Sequence, residues 1–143
     1  MAIITTIDQL KAAISAINHD LDINSFSSFL SDARLNNIIP AIGNETYALL
    51  SGNSLNANQT AALLLLQKAE ANFALSYYVN FGSIQISEQG LHVLQDDKKK
   101  IASDKKIEAL RKQCMNDGFI ALEAAIDFIE ANLTDFVAYT ASD

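Results

Sequence analysis

The sequence predicts an all-α protein, a bundle of about four to five helices broken once by a short β-hairpin between the two longest. Three observations point there. Half of the residues are hydrophobic and only 19% are charged, which excludes a disordered chain. Apolar residues recur at helical spacing along most of the length. One proline and five glycines punctuate 143 residues, leaving little room for long loops. A chain of this length is most simply one domain, residues 1–143, with a single core.

The first helix is announced by Thr6 with Gln9 three residues on, the pattern of a capping box. Ile7, Leu10, Ala13, Ile14 and Ile17 then form one apolar stripe, and "NHDLDIN" ends it. Asn24 or Asp22 can cap a second helix with Phe26, Phe29, Leu30 and Ala33 on one face. Pro40 disfavours a helical conformation at Ile39, so "NNIIPAIG" reads as a bend, with a short turn opening at Pro40. "NETYALLSG" fits a further short helix, with Asn44 as cap and Gly52 as stop.

After the polar loop "NSLNANQ", residues 59–80 are apolar on most of the helix circumference. Leu63, Leu64, Leu65 and Leu66 cannot all face one neighbour, and a helix apolar all round must be surrounded. This is the expected centre of the core. Lys68 and Glu70 interrupt it too early for a membrane span.

The stretch 81–97 is expected as a hairpin insertion. Ile84 and Ile86 alternate with polar residues, "EQG" supplies a turn, and Leu91 and Val93 resume the alternation. Ser103 then caps a last long helix whose buried stripe is expected at Ile107, Leu110, Cys114, Ala121, Leu122, Ala125, Ile126 and Ile129. Gly118 costs that helix about 1 kcal/mol against Ala, which a close helix crossing would justify. Residues 133–143 read as a loosely ordered tail.

No chemistry is written in the chain. His19 and His92 are its only histidines and Cys114 its only cysteine, too few for a closed zinc site or a His–Asp metal centre. Cys114 falls on the apolar stripe and reads as a small buried hydrophobe. Asp117, Glu123, Asp127 and Glu130 spread around the polar face of the last helix without a partner base. No glycine-rich phosphate loop is present. The expectation is therefore a protein that is no enzyme, with no catalytic, cofactor or metal residues and no small-molecule substrate.

A net charge of −7 argues against general nucleic-acid binding and gives no ground for sequence-specific recognition. The start of the chain has no basic segment of a signal peptide, so a soluble intracellular protein without membrane attachment is expected. The basic residues are unevenly placed. Lys98, Lys99 and Lys100, with Lys105 and Lys106, hold half of the ten lysines and arginines. That cluster reads either as an ordinary solvated helix entry or as a contact with an acidic partner surface or with passing nucleic acid.

Three stretches in order carry a resemblance: "DINSFSSFLSDARLNNIIPAIGNETYALL", "ALSYYVNFGSIQISEQGLHV" and "KKKIASDKKIEALRKQCMNDGFIALEAAIDFIE". Their succession resembles small, mostly helical proteins encoded in bacteriophages and prophages, of the head–tail connector (adaptor) type. The resemblance implies a homo-oligomeric ring beneath the portal, contacts with portal or tail proteins, and residence in the virion after assembly in the bacterial host cytoplasm. Under that reading the interaction residues are Ile84, Ile86, Leu91 and Val93, beside Lys98, Lys99 and Lys100. A non-enzymatic helical interaction or regulatory module of a mobile element is the alternative.

Overall fold

A computed structural model describes residues 2–13, 23–82, 84–87, 90–93, 104–137 and 139. In chain order it comprises α1 (Ile7–Ala13), α2 (Ile23–Ala33), a π-helical turn (Arg34–Ile38), α3 (Ile39–Ile42), α4 (Asn44–Leu50), α5 (Ala57–Gly82), β1 (Ile84–Ser87), β2 (Gly90–Val93), α6 (Asp104–Ala131) and a 3₁₀ turn (Leu133–Asp135). The capping box at α1 forms as its pattern predicts. The Gln9 N–H donates to the Thr6 hydroxyl at 3.2 Å, and the Gln9 side-chain oxygen accepts the Thr5 and Thr6 amides at 2.8 and 3.3 Å. Ile14, Ile17 and the His19–Asp20 pair lie outside the described residues.

On α2, Phe26, Leu30 and Ala33 are buried and Phe29 packs against them. The bend expected at "NNIIPAIG" does not form. The chain stays helical through Pro40, and a π turn makes that possible. Pro40 has no amide for Asn36, and its ring would collide with the Asn36 carbonyl in a regular α-helix. Widening the preceding turn, with the Ile39 amide bonded to the Arg34 carbonyl five residues back, separates these groups. The chain breaks only at Gly43, whose φ of 90° and ψ of 154° suit glycine alone. Gly43, not the expected Asn44, occupies the cap position of α4, and no side chain caps it.

α5 and α6, of 26 and 28 residues, form the dominant packed pair. An Asn56–Gln59 capping box starts α5, with reciprocal bonds of 2.8 and 3.0 Å. From Ala69 to Ala74 six consecutive residues are buried, so this part of α5 is enclosed on every side. Leu64, by contrast, is 60% exposed, and the enclosure expected for the whole helix fails there. Cys114, Ala121, Leu122, Ala125 and Ile129 of α6 are buried, but Leu110 is 48% exposed. Helical spacing alone cannot show which positions of a stripe a neighbour reaches.

Two further contacts fix the ends. Phe26, Phe29 and Tyr78 make an aromatic triangle, with centroids 5.4 to 6.1 Å apart, that ties α2 to the end of α5. Within the stretch expected as a loose tail, Asp135 and Phe136 are anchored to the helical body. Phe136 is fully buried, and Asp135 accepts hydrogen bonds from Asn56 and Asn58 at 2.9 and 2.8 Å.

The expected fold class is corrected in one respect. The protein is all-α, and the hairpin counted as an element of the fold from 81 to 97 does not stand. α5 continues through Phe81 and Gly82, into residues assigned to that insertion. Among the described residues the remaining extended backbone is two four-residue segments whose ladder contains only each other, so no β layer contributes to the architecture there. An isolated two-stranded ribbon has too little buried surface to act as a folding unit. With α2, the π turn and α3 continuous, the bundle has five helices among the described residues, within the four to five expected.

Candidate functional site

Two features of the helical body stand out as places where something other than packing happens. The first is a polar centre beneath the N-terminal segment. Ile3 and Ile4 precede α1 and are 5% and 3% exposed. Their burial contributes about 1.5–3 kcal/mol for each side chain. Two side chains hold the backbone between them. The Gln67 carboxamide donates to the Ile3 carbonyl at 2.7 Å, and the Ile3 N–H donates to the Tyr47 hydroxyl at 3.3 Å. The Tyr47 hydroxyl in turn donates to Glu70 Oε1 at 2.8 Å.

Glu70 is 1% exposed and is the only carboxylate buried among the described residues. Removal from water pushes its carboxyl up to about 7, while the Tyr47 hydrogen bond and the Arg34 guanidinium pull the other way. Burial and the Glu70 charge push the Tyr47 hydroxyl up as well. A cavity of about 60 Å³ adjoins the centre, lined by Ile4, Ser27, Ser31, Arg34, Tyr47 and Glu70 among others. Ser31 accepts a 3.2 Å hydrogen bond from Arg34. Nothing in this enclosure can reach a substrate of ordinary size.

The second feature is the open face of the α5–α6 pair. A groove of about 310 Å³ runs between the helices, with Leu65 and Lys68 on one bank and Asp117, Ile120, Ala121 and Ala124 on the other. Ile120 is 58% exposed, and Leu64, one helical turn before Lys68, is 60% exposed. Large aliphatic side chains on a rigid helix pair are the usual makings of a contact surface.

Of the residues singled out from the sequence, Ile84, Ile86, Leu91 and Val93 lie on the two paired segments β1 and β2. The backbone register places Ile84 opposite Val93 and Ile86 opposite Leu91. Lys98, Lys99 and Lys100 lie outside the described residues. Cys114 is buried and unpaired by disulfide, and burial pushes its thiol up, with Asp117 adding to the effect. Among the described residues no group of three or more His, Cys, Asp or Glu could hold a metal ion. No helix there is long and apolar enough to cross a membrane.

Sequence reasoning missed Glu70 and Tyr47. A glutamate on a helix reads as a solvent-facing residue, and only its place among Ala69, Ala71 and Phe73 hinted otherwise.

Fold and site together define a small all-α protein built on one long antiparallel helix pair, with a buried carboxylate under its N-terminal segment. The chain belongs to DUF6712, a family of unknown function, whose model matches residues 26–143. No curated protein and no solved structure matches it.

Proposed function

We propose that the protein is a structural assembly component of a bacteriophage or prophage, a connector-type subunit that packs against copies of itself and against a portal or tail protein. The observation that supports this reading is the uncovered α5–α6 face, where Leu64 and Ile120 stand 60% and 58% exposed on rigid helices. Lys68 and Asp117 carry opposite charges on the two banks of its groove. One copy can therefore meet the next with Lys68 against Asp117, over an apolar strip that loses water on contact. The order of sequence motifs that resembles the connector family points the same way.

The test is assembly with the portal protein of the same phage or prophage. Leu64→Asp and Ile120→Asp lie on exposed positions, so helicity by circular dichroism should survive in the double variant. Chemical cross-linking into oligomers and co-purification with the portal should both be lost. Unchanged assembly in the double variant would show that the subunits meet through another surface. If the natural protein neither self-associates nor binds the portal at any concentration tried, the connector reading falls.

A further inference from the structure

We propose that Glu70 is a proton-operated latch on the N-terminal segment: neutral Glu70 keeps residues 2–5 clasped over the bundle, and ionised Glu70 favours their release. The geometry supplies a continuous chain of bonds. Glu70 accepts from Tyr47 at 2.8 Å, Tyr47 accepts from the Ile3 amide at 3.3 Å, and Gln67, one turn before Glu70 on α5, holds the Ile3 carbonyl at 2.7 Å. The segment therefore touches the carboxylate's own helix and its hydrogen-bond partner at once. It is also part of the cover that keeps water from Glu70, since Ala2 and Ile4 line the adjoining cavity.

A charge in such an enclosure is poorly solvated, and lifting the cover is the least disruptive way to hydrate it. The cavity beside the carboxyl is small, about 60 Å³, so in the closed form few waters reach it. The groups facing Glu70 do not remove the penalty. Tyr47 on α4 donates one hydrogen bond, and Arg34 on the π turn offsets only part of the cost, for the carboxyl still titrates at about 7. α2 contributes the uncharged Ser27 and Ser31, α5 the uncharged Gln67, and residues 2–4 have no ionisable side chain.

Linkage fixes the sign and the window. The closed form holds its proton up to about 7, whereas a hydrated carboxyl releases it near the ordinary 4.5. Closure is thus fully favoured below about pH 4.5 and weakens as pH rises, levelling off above about 7. Between pH 5 and pH 8 the opening constant should rise by about 70-fold at most.

Hydrogen exchange read by mass spectrometry tests this on the full chain, with exchange times scaled for the intrinsic rate at each pH. The peptide containing the Ile3, Thr5 and Thr6 amides should open tens of times more readily at pH 8 than at pH 5. Peptides from residues 118–129 of α6 should not change in parallel. Glu70→Gln, which keeps the shape without the charge, should give the same N-terminal protection at both pH values. Tyr47→Phe cuts the chain while leaving the carboxyl, and should loosen the segment even at pH 5. Equal pH dependence in the natural protein and in Glu70→Gln would overturn the latch. So would equal acceleration in the α6 peptides, which would mark global opening. Should Glu70→Gln fail to fold, the comparison of natural protein and Tyr47→Phe at pH 5 decides, and equal N-terminal protection in the two refutes the proposal.

Discussion

Gly118→Ala sets two effects of similar size against each other at the crossing of α5 and α6. In an isolated helix the change should stabilise by about 1 kcal/mol, because alanine loses less backbone freedom on folding. In this protein a Cβ at position 118 would lie 2.9 Å from two carbons of the Phe73 ring and 3.1 Å from a third. Phe73 is fully buried and stacks edge-on against Phe119 with centroids 5.0 Å apart, so its ring has little freedom to retreat. Overpacking of this kind costs about 1–3 kcal/mol. The net expectation is a loss of about 0–2 kcal/mol, read as a lower urea midpoint with an unchanged slope. Phe73→Leu removes the obstruction while lowering stability itself. In that background Gly118→Ala should recover the helix-propensity gain, giving a coupling of about 1–3 kcal/mol in the double-mutant cycle. A clear rise in stability from Gly118→Ala alone would refute the close crossing, and additivity in the cycle would show that Phe73 is not its cause.

Three further outcomes follow from buried groups. The Glu70 carboxyl titrates at about 7 in the folded protein against an ordinary 4.5, so the folded state binds its proton more tightly. That contribution is complete below about pH 4.5 and disappears as pH rises through about 7, amounting to about 3 kcal/mol; urea titrations should show Glu70→Gln losing this slope, and an identical slope would reject the assignment. Thr46 Oγ1 is buried on α4 without a hydrogen-bond partner. Thr46→Val removes the unpaired hydroxyl at constant shape and should be neutral or raise stability by about 1–3 kcal/mol, whereas a loss measured by thermal melting would mean the hydroxyl is satisfied. The Cys114 thiol, 4% exposed and pushed up by burial, should react with a thiol reagent far more slowly in native protein than in urea, and equal rates would place it at the surface.

Much of this fold is legible in the sequence because its signals are local. The Thr6–Gln9 capping box, the Phe26–Leu30–Ala33 face and the need for a small residue at 118 all depend on neighbours within one or two turns or on a helix crossing. Other features are decided farther away. Pro40 reads as a bend from its own chemistry, yet a π turn two to six residues earlier absorbs it. Leu64 and Leu110 are apolar at helical spacing, but exposure depends on whether another element reaches them. Alternation near 84–93 marks extended backbone and cannot tell a layer of the fold from two segments that pair with each other. Asp135 meets Asn56 and Asn58 across more than seventy residues, and no local pattern announces such a meeting.

The same distinction explains why polar residues sit on the most apolar helix. A rod that is greasy on most of its circumference gains nearly as much by burying one face as another, so hydrophobic area alone leaves its rotation poorly specified. α5 carries polar side chains that correct this, each reaching a different element. Gln59 donates to the Asp135 carbonyl at 2.9 Å, Gln67 to Ile3 at 2.7 Å, Tyr77 to Asn37 at 2.6 Å, and Glu70 accepts from Tyr47 at 2.8 Å. Turning α5 by a fraction of a turn breaks all of these together and leaves several buried groups unpaired, at about 1–3 kcal/mol each. The packing supplies most of the stability and the four polar contacts select one arrangement from several of similar area. Of the four only Glu70 carries a charge that titrates near neutrality, so it is the one place where the choice of arrangement depends on pH.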